Sequence, residues 1–259
     1  MNDSLYIAAT GMQAQQKSVD TIANNLANVN TPGFKKGKVS FEDMVYRGIG
    51  RAAAPDGVTG QNMWQGSGVS AAALMKVFGA GDLKKTDGQL DLAIQGEGFI
   101  EVTGADGATA YSRGGALSVD KDGFLATAEG HVLKPGIHVG LDMKDLSIAA
   151  DGRVLARSRD QREAVEVGRI ELLRFADTSG LQPVGGNHYR PSERSGEAIN
   201  GRPGEDGLGT LAQGYLESSN VKLIEEMVDL MAAQRAYESN VKVIQASDEL
   251  LAMSNNLRK

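Results

Sequence analysis

The last forty or so residues carry an apolar pattern with helical spacing. Neither Gly nor Pro interrupts residues 220 to 256, and Asn220 stands where a helix N-cap is favoured. We therefore predict one continuous helix about 55 Å long. Steps of four and three residues place these side chains on one face: Leu223, Met227, Leu230, Gln234, Tyr237, Val241, Ile244, Asp248 and Leu251.

The apolar face of this helix needs a covering surface. A compact domain of this size seldom contains so long a helix. The other side of the helix carries small residues, which let a second helix approach closely: Ala232, Ala236, Ser239 and Ser247. Two interpretations follow, in which the helix packs on its own domain or other molecules cover it.

Residues 3 to 28 repeat the same pattern, and Asn30, Pro32 and Gly33 end it. The apolar face predicted there comprises Leu5, Ala9, Met12, Gln16, Val19, Ile22, Ala23 and Leu26. Since the chain leaves along one helix and returns along the other, we predict an antiparallel, coiled-coil-like pair in which each helix partly covers the other.

The middle of the chain is predicted to be β-rich. Asp-Gly pairs at 106–107, 122–123 and 151–152 lie between apolar runs, where tight hairpin turns are expected. The predicted strands are 90–94, 99–103, 116–119, 131–133 and 170–175. Residues 176–209 are rich in Gly, Pro and Ser and predict an outer loop.

These elements predict an α+β fold in three domains. Residues 1–36 and 215–259 form a discontinuous helical domain, 37–68 form an extended linker segment, and 69–214 form a β-rich body. The linker segment shows no clear period, and a loop of that length is uncommon unless it is functional or disordered.

Composition excludes several classes of function. The net charge of −6 and the pI near 5.2 argue against nucleic-acid binding, which requires a basic face. The chain has no cysteine, which excludes disulfides, thiolate metal sites and a cysteine nucleophile. No apolar run reaches membrane-spanning length and the first residues lack the basic start of a secretory signal, so we expect neither membrane insertion nor a cleaved signal peptide.

Motifs for chemistry are weak. The segment GFKKGK at 33–38 is one residue short of a phosphate loop and lacks its Ser or Thr. The segment SNVK at 219–222 has the spacing of a penicillin-binding serine site, but a capping role suits it better because it opens a helix. His131, His138 and His188 show no metal-ligand spacing. We predict no catalytic, cofactor-binding or metal-binding residue, and no enzymatic activity.

Four segments carry a resemblance to a known family. The segment IANNLANVNTPGFKK at 22–36, followed by SFEDMVYR, resembles the amino-terminal signature of the axial proteins of the bacterial flagellum, which are rod, hook and hook-associated subunits. Three later segments agree with it in order: LDLAIQGEGFIEV at 90–102, YSRGGALSVDKDGFLATAEGHVLKP at 111–135, and GYLESSNVKLIEEMVDLMAAQRAYESNVKVIQASDELL at 214–251. Within the family the chain is most similar to distal-rod members, with proximal-rod members as the alternative.

The resemblance implies a structural subunit of the flagellar basal body. Such subunits assemble into a helical tube that spans the periplasm and transmits torque to the hook. The implied partners are further copies of the chain, neighbouring rod and hook subunits and, as a weaker implication, the rings around the rod. The resemblance also implies export through the flagellar secretion channel without a cleaved signal, and a family-specific insertion within residues 37–68.

The predicted site is therefore a subunit interface. It combines both apolar helix faces with the signature that follows the first helix: Leu5, Met12, Val19, Ile22, Asn24, Asn25, Leu26, Asn28, Phe34, Leu223, Met227, Leu230, Tyr237, Val241, Ile244 and Leu251. The alternative is a stand-alone β-rich binding module or a peptidoglycan-cleaving enzyme. An enzyme of that kind needs paired carboxyl groups, one of which has a raised pKa.

Overall fold

The computed structural model describes residues 2–44, 47–49, 63–104, 107–140, 143–158 and 164–256. The chain divides into two compact units. The helical unit contains residues 1–26, 37–75 and 222–259, and the β unit contains residues 27–36 and 76–221. The fold is α+β, as predicted, with helices at both ends of the chain and a β-rich middle.

The helical unit contains both long helices and four described strands. The helices are α1 (Asn2–Ala27) and α2 (Leu223–Asn256), which confirms both predicted helices. The strands are β1 (Gly37–Asp43), β2 (Arg47–Ile49), β3 (Met63–Gln65) and β4 (Val69–Lys76). Strand β1 pairs with β4, and β2 pairs antiparallel with β3. Residues 50–62 of the predicted linker lie outside the described residues.

The predicted cap of α2 is wrong. The helix begins at Leu223, three residues after Asn220. The Asn220 Oδ1 accepts a hydrogen bond from the Lys36 backbone N–H at 2.8 Å, and its Nδ2 donates to the Val77 carbonyl oxygen at 2.8 Å. Asn220 therefore joins two segments of the β unit instead of closing the first turn of the helix.

The β unit contains sixteen described strands and one short 3₁₀ helix at Thr178–Gly180. The strands are β5 (Leu83–Lys85), β6 (Asp91–Gln95), β7 (Ile100–Thr103), β8 (Thr109–Ser112), β9 (Gly114–Val119), β10 (Leu125–Thr127), β11 (Val132–Leu133), β12 (Met143–Ile148), β13 (Arg153–Ser158), β14 (Val165–Arg169), β15 (Leu172–Arg174), β16 (Gln182–Gly185), β17 (His188–Arg190), β18 (Ile199–Gly201), β19 (Thr210–Gln213) and β20 (Tyr215–Glu217).

Nine of these strands form one sheet in the order β16-β17-β8-β7-β11-β10-β9-β6-β19. A second sheet has the order β12-β13-β14, and two strand pairs complete the unit, β15 with β18 and β20 with β5. The predicted hairpin turns at Gly123 and Gly152 are confirmed, because each connects antiparallel neighbours and has a positive φ, of 82° and 88°. The third turn joins β7 to β8 as predicted, although Asp106 lies outside the described residues.

The predicted outer loop at 176–209 is wrong. This segment contains β16 and β17, which belong to the nine-stranded sheet, and β18, which pairs with β15. Its ordering has a packing reason, since Leu181 and Tyr189 are buried in an aromatic cluster with Phe99, Tyr111 and Phe175. The Gly- and Pro-rich composition concealed strands of only three or four residues.

The main core of the β unit lies among its sheets and consists largely of Leu, Ile and Val. Leu92, Val102, Leu125 and Val154 from four strands are fully buried there. The division into the three predicted domains stays a prediction. Residues 27–36 and 215–221, which that prediction grouped with the helices, belong to the β unit.

Candidate functional site

The first half of α2 exposes an apolar face. Five large apolar side chains within its first three turns have exposed fractions between 51% and 77%: Leu223, Ile224, Met227, Val228 and Met231. Burying such a side chain is worth about 1.5 to 3 kcal/mol, so leaving five of them in water is costly. A contiguous apolar patch of this kind marks an interaction surface.

The exposure continues along both helices. In the second half of α2, Val243, Leu250 and Met253 are 47%, 58% and 57% exposed. In α1, Tyr6 is 53% exposed. The apolar surface of the helical unit therefore extends well beyond the five residues at the start of α2.

Small residues occupy several of the buried positions on the two helices. Ala8 and Ala14 in α1 and Ala233 in α2 are 3% to 5% exposed. Gly11 lies close to α2, because a Cβ atom built on Gly11 would stand 2.9 Å from the Asn240 Nδ2. Small side chains permit this approach and leave most of the larger apolar residues uncovered.

The predicted interface residues fall into three groups by exposure. Exposed members are Asn24, Leu223, Met227 and Tyr237; half-buried members are Leu5, Met12, Val19, Leu26, Asn28, Leu230, Val241, Ile244 and Leu251; buried members are Ile22, Asn25 and Phe34. Val19 and Tyr237 line a groove of about 640 Å³ together with Gln16, Asp20, Gln234 and Glu238.

The buried signature residues contact their own chain. Asn25 donates from Nδ2 to the Glu226 Oε2 and to the Gly37 carbonyl oxygen, both at 2.9 Å. The Lys76 Nζ lies 4.2 Å from the centroid of the Phe34 ring, and burial lowers the pKa of this lysine. Asn25 and Phe34 therefore support the fold of the subunit itself.

Sequence reasoning missed Ile224, Val228 and Met231. These residues follow steps of four and three from Ile224, the same spacing that identified the predicted stripe one position earlier. Two adjacent stripes together make a wide apolar face. The helical spacing of these residues was visible in the sequence, but the prediction included only the narrower stripe.

A buried ion network lies in the β unit. The Lys35 Nζ donates to the Glu217 Oε1 at 2.7 Å and to the Gly79 carbonyl oxygen at 2.9 Å. The Arg113 Nε donates to the Glu217 Oε2 at 3.2 Å. All three charged side chains are at most 5% exposed. The network joins the segment that follows α1 to strand β20, and the sequence contained no local pattern that predicted it.

The charges of this network favour a structural role. Burial lowers the pKa of Lys35, against the opposing effect of its hydrogen bond to Glu217. Burial alone would raise the pKa of Glu217, but Arg113 and Lys35 hold it below its ordinary value. The pKa values of Asp151 and Asp177 are lowered as well, mainly by hydrogen bonds that these carboxylates accept from Arg153 and Ser179. The general acid of a glycosidase instead requires a raised pKa.

The structure brings together two histidines that the sequence left scattered. The His131 Nδ1 lies 3.1 Å from the His188 Nε2, and the His188 side chain is 1% exposed. Burial lowers the pKa of His188, and the neighbouring His131 lowers it further, while Glu129 opposes this effect. His188 is therefore held in its neutral form within the β unit.

Acidification is expected to destabilise the β unit through His188. A lowered pKa in the folded state means that stability is complete above the ordinary histidine value of about 6.5 and is lost as the pH falls through it toward the folded-state pKa. Urea denaturation at pH 7.5 and pH 5 measures this loss. The H188Q variant should lose less stability over that interval than the parent protein, whereas H138Q, at an exposed position, should behave like the parent. Equal losses of stability in the parent and in H188Q would contradict the attribution of this pH dependence to His188.

Neither a metal centre nor a membrane span is found in the described part of the chain. No three or more His, Asp or Glu side chains come together there in a group that could hold a metal ion. None of the helices in those ranges combines the length and apolarity that crossing a bilayer requires.

Three family models match the chain in order. They are the flagella basal body rod protein model at residues 5–35, the D1 domain model of the flagellar hook protein FlgE/F/G at 93–156, and the C-terminal model of the flagellar basal body rod FlgEFG proteins at 212–257. The matches cover α1 from residue 5, all of α2, and residues 93–156 in the β unit.

Full-length relatives agree with these matches. The chain is 40% identical over 264 residues to the flagellar basal-body rod protein FlgG of Borreliella burgdorferi, with all of both chains covered. It is 40% identical over 263 residues to FlgG of Bacillus subtilis, covering 99% of each chain. Against the rod protein FlgF of Caulobacter vibrioides the identity is 33%, covering 96% of this chain and 95% of that protein. The chain therefore belongs to the family of flagellar basal-body rod proteins, as a structural, non-enzymatic member of the FlgG type.

Proposed function

We propose that this chain assembles with copies of itself into the distal rod, a helical tube that transmits torque to the hook. The observation that carries the proposal is the exposed apolar face at residues 223–231 of α2. Contact with neighbouring subunits would remove this face from water at every copy. Neighbouring rod and hook subunits are the further partners we propose.

An antiparallel arrangement of α1 and α2 is part of this proposal. Asn25, near the end of α1, is hydrogen-bonded to Glu226, near the start of α2. Gly11, fourteen residues earlier in α1, meets Asn240, fourteen residues later in α2. Contacts that advance along one helix and retreat equally along the other support antiparallel packing, and the spacing of two heptads supports a coiled-coil-like pair.

The subunit interface is proposed for the uncovered residues. Among the residues predicted from sequence, Leu223, Met227 and Tyr237 are exposed enough to meet another subunit. We add Ile224 and its two neighbours on the same face, Val228 and Met231. The unlike surfaces of α1 and α2 suit an open helical polymer, which requires one surface to meet a different one on the next copy.

Four further parts of the proposal concern the whole subunit. We propose the three-domain division with its linker at 37–68, and a locking role for that linker between neighbouring subunits. We also propose contact with the rings around the rod, and export without a cleaved signal. The pairing of β2 with β3 supports an ordered element within the linker.

Deleting the gene in its own bacterium tests the proposed function. We expect cells without motility, whose basal bodies retain the proximal rod but lack the distal rod and hook in electron micrographs. A copy of the gene in trans should restore motility and the missing distal rod and hook. Loss of the proximal rod as well would favour the proximal-rod alternative, and complete basal bodies in the deletion strain would contradict a rod function.

A further inference from the structure

Among the described residues of α1 and α2, the buried apolar positions are mostly small. They are Ala8, Ala14 and Ala233, with Ile22 as the one large member. Small, smooth surfaces of this kind allow one helix to slide along the other by a heptad with little change in packing. A slide of seven residues would displace α2 by about 10 Å. Register must therefore be set by the larger or polar groups in the same boundary.

One polar pair in this boundary is almost completely buried. Asn25 is 2% exposed and Glu226 is 3% exposed, and their side chains are joined by the hydrogen bond of 2.9 Å. Gly37, the first residue of β1, closes the arrangement from a third side. Its N–H donates to the Asn25 Oδ1 at 2.8 Å, and its carbonyl oxygen accepts from the Asn25 Nδ2 at 2.9 Å. Asn25 thereby uses both of its amide hydrogens and its carbonyl oxygen.

A slide by one heptad would separate these partners. Asn25 would then face Ala233, which offers no hydrogen bond, and Glu226 would lose the amide of Asn25. Buried polar groups without partners are costly, and those that interact with a charged group are costlier still. A single buried Asn is known to specify register in helical assemblies at the expense of stability.

We propose that the Asn25–Glu226 pair, closed by Gly37, is the register key of the helical unit. This inference rests on the proposed antiparallel pairing of α1 and α2. This key fixes the position of the exposed residues 223–231 along the axis of α1. It thereby aligns the surface that contacts other subunits. Asn25 and Glu226 are thus positioning residues, which act on assembly from inside one subunit.

Engineered disulfides can read the register, because the chain has no cysteine of its own. Ser18 and Ala233 each lie seven residues from both observed contacts, so the pair S18C/A233C reports the native register. The pair S18C/N240C reports a slide of one heptad. Both pairs are oxidised in the full-length protein, with and without N25A/E226A, and the cross-linked product is quantified by mass spectrometry. Because each pair is compared in the two backgrounds, the effect of N240C itself cancels.

We expect the native cross-link to dominate in the parent background. In N25A/E226A the ratio of native to slipped cross-link should fall about tenfold, equivalent to about 1.4 kcal/mol. Circular dichroism should show that helix content is retained, since both substitutions introduce a strong helix former. The control Q13A changes an exposed polar residue of α1 outside the predicted interface and should leave the ratio unchanged.

The remaining outcomes overturn one proposal or the other. A native cross-link that still dominates in N25A/E226A overturns the register key, as does loss of both cross-links in that background. Absence of the S18C/A233C cross-link from the parent protein would instead contradict the antiparallel pair, and thus the proposed arrangement on which the key depends.

Discussion

Replacing Ile224 by aspartate is expected to abolish rod assembly without unfolding the subunit. Ile224 is 77% exposed, so the isolated chain does not depend on its burial. A carboxylate that assembly buries without a partner costs several kcal/mol, and the cost recurs at every copy in the polymer. Cells that carry I224D as their only copy should be non-motile in soft agar and lack distal rods in electron micrographs. The melting temperature of the purified variant should match the parent, as is usual for exposed positions.

A matched control separates this effect from a general effect of added charge. Ile199 in β18 is also an isoleucine and is 51% exposed, but it lies in the β unit. The I199D variant should support motility. Normal motility with I224D would contradict a role for the α2 face in assembly. A melting temperature well below that of the parent would show that Ile224 supports the subunit's own fold.

Replacing Glu217 by glutamine is expected to cause the largest loss of stability in the β unit. Lys35 and Arg113 both pair with this carboxylate, and neither has access to water that could replace it. Breaking a buried ion pair by removing one partner costs about 3 to 5 kcal/mol, because an uncompensated charge remains. For a unit of this size the melting temperature should fall by roughly 10 °C, measured by calorimetry.

The control for this prediction is an ion pair near the surface. The Lys134 Nζ lies 2.8 Å from the Glu101 Oε1, and the lysine side chain is 58% exposed. Solvent screens such a pair, so E101Q should change the melting temperature little. Equal melting temperatures for E217Q and E101Q would contradict the prediction that the buried network stabilises the β unit more than a surface ion pair does.

Strong local patterns made much of the fold predictable. The unbroken steps of four and three predicted both helices, and the Asp-Gly pairs predicted the turns at Gly123 and Gly152. These features depend on neighbours along the chain. The strands at 182–190 were missed because their order comes from Tyr189 packing against Phe78 and Phe99, which are distant in sequence.

The candidate site was only partly predictable for a related reason. The apolar stripe that begins at Leu223 was found, but the sequence does not say which side of a helix meets its neighbour. Ala233 and Gly11 lie on buried or close-packed sides because small residues allow close approach. This packing leaves the first residues of the stripe exposed and most of its later residues half-buried. The ion network was unpredictable because Lys35 and Glu217 are 182 residues apart and no spacing links them.

Hydrogen exchange, measured in the monomer and in the polymer, shows whether neighbouring subunits cover the exposed face of α2. We expect the amides at 223–231 to exchange readily in the isolated subunit and to become protected in the assembled rod, because neighbouring subunits cover that face. Residues 27–36 and 215–217 should be protected in both states, since Lys35 and Glu217 are buried within the β unit. Equal protection of residues 223–231 in monomer and polymer would contradict the claim that other subunits cover the α2 face.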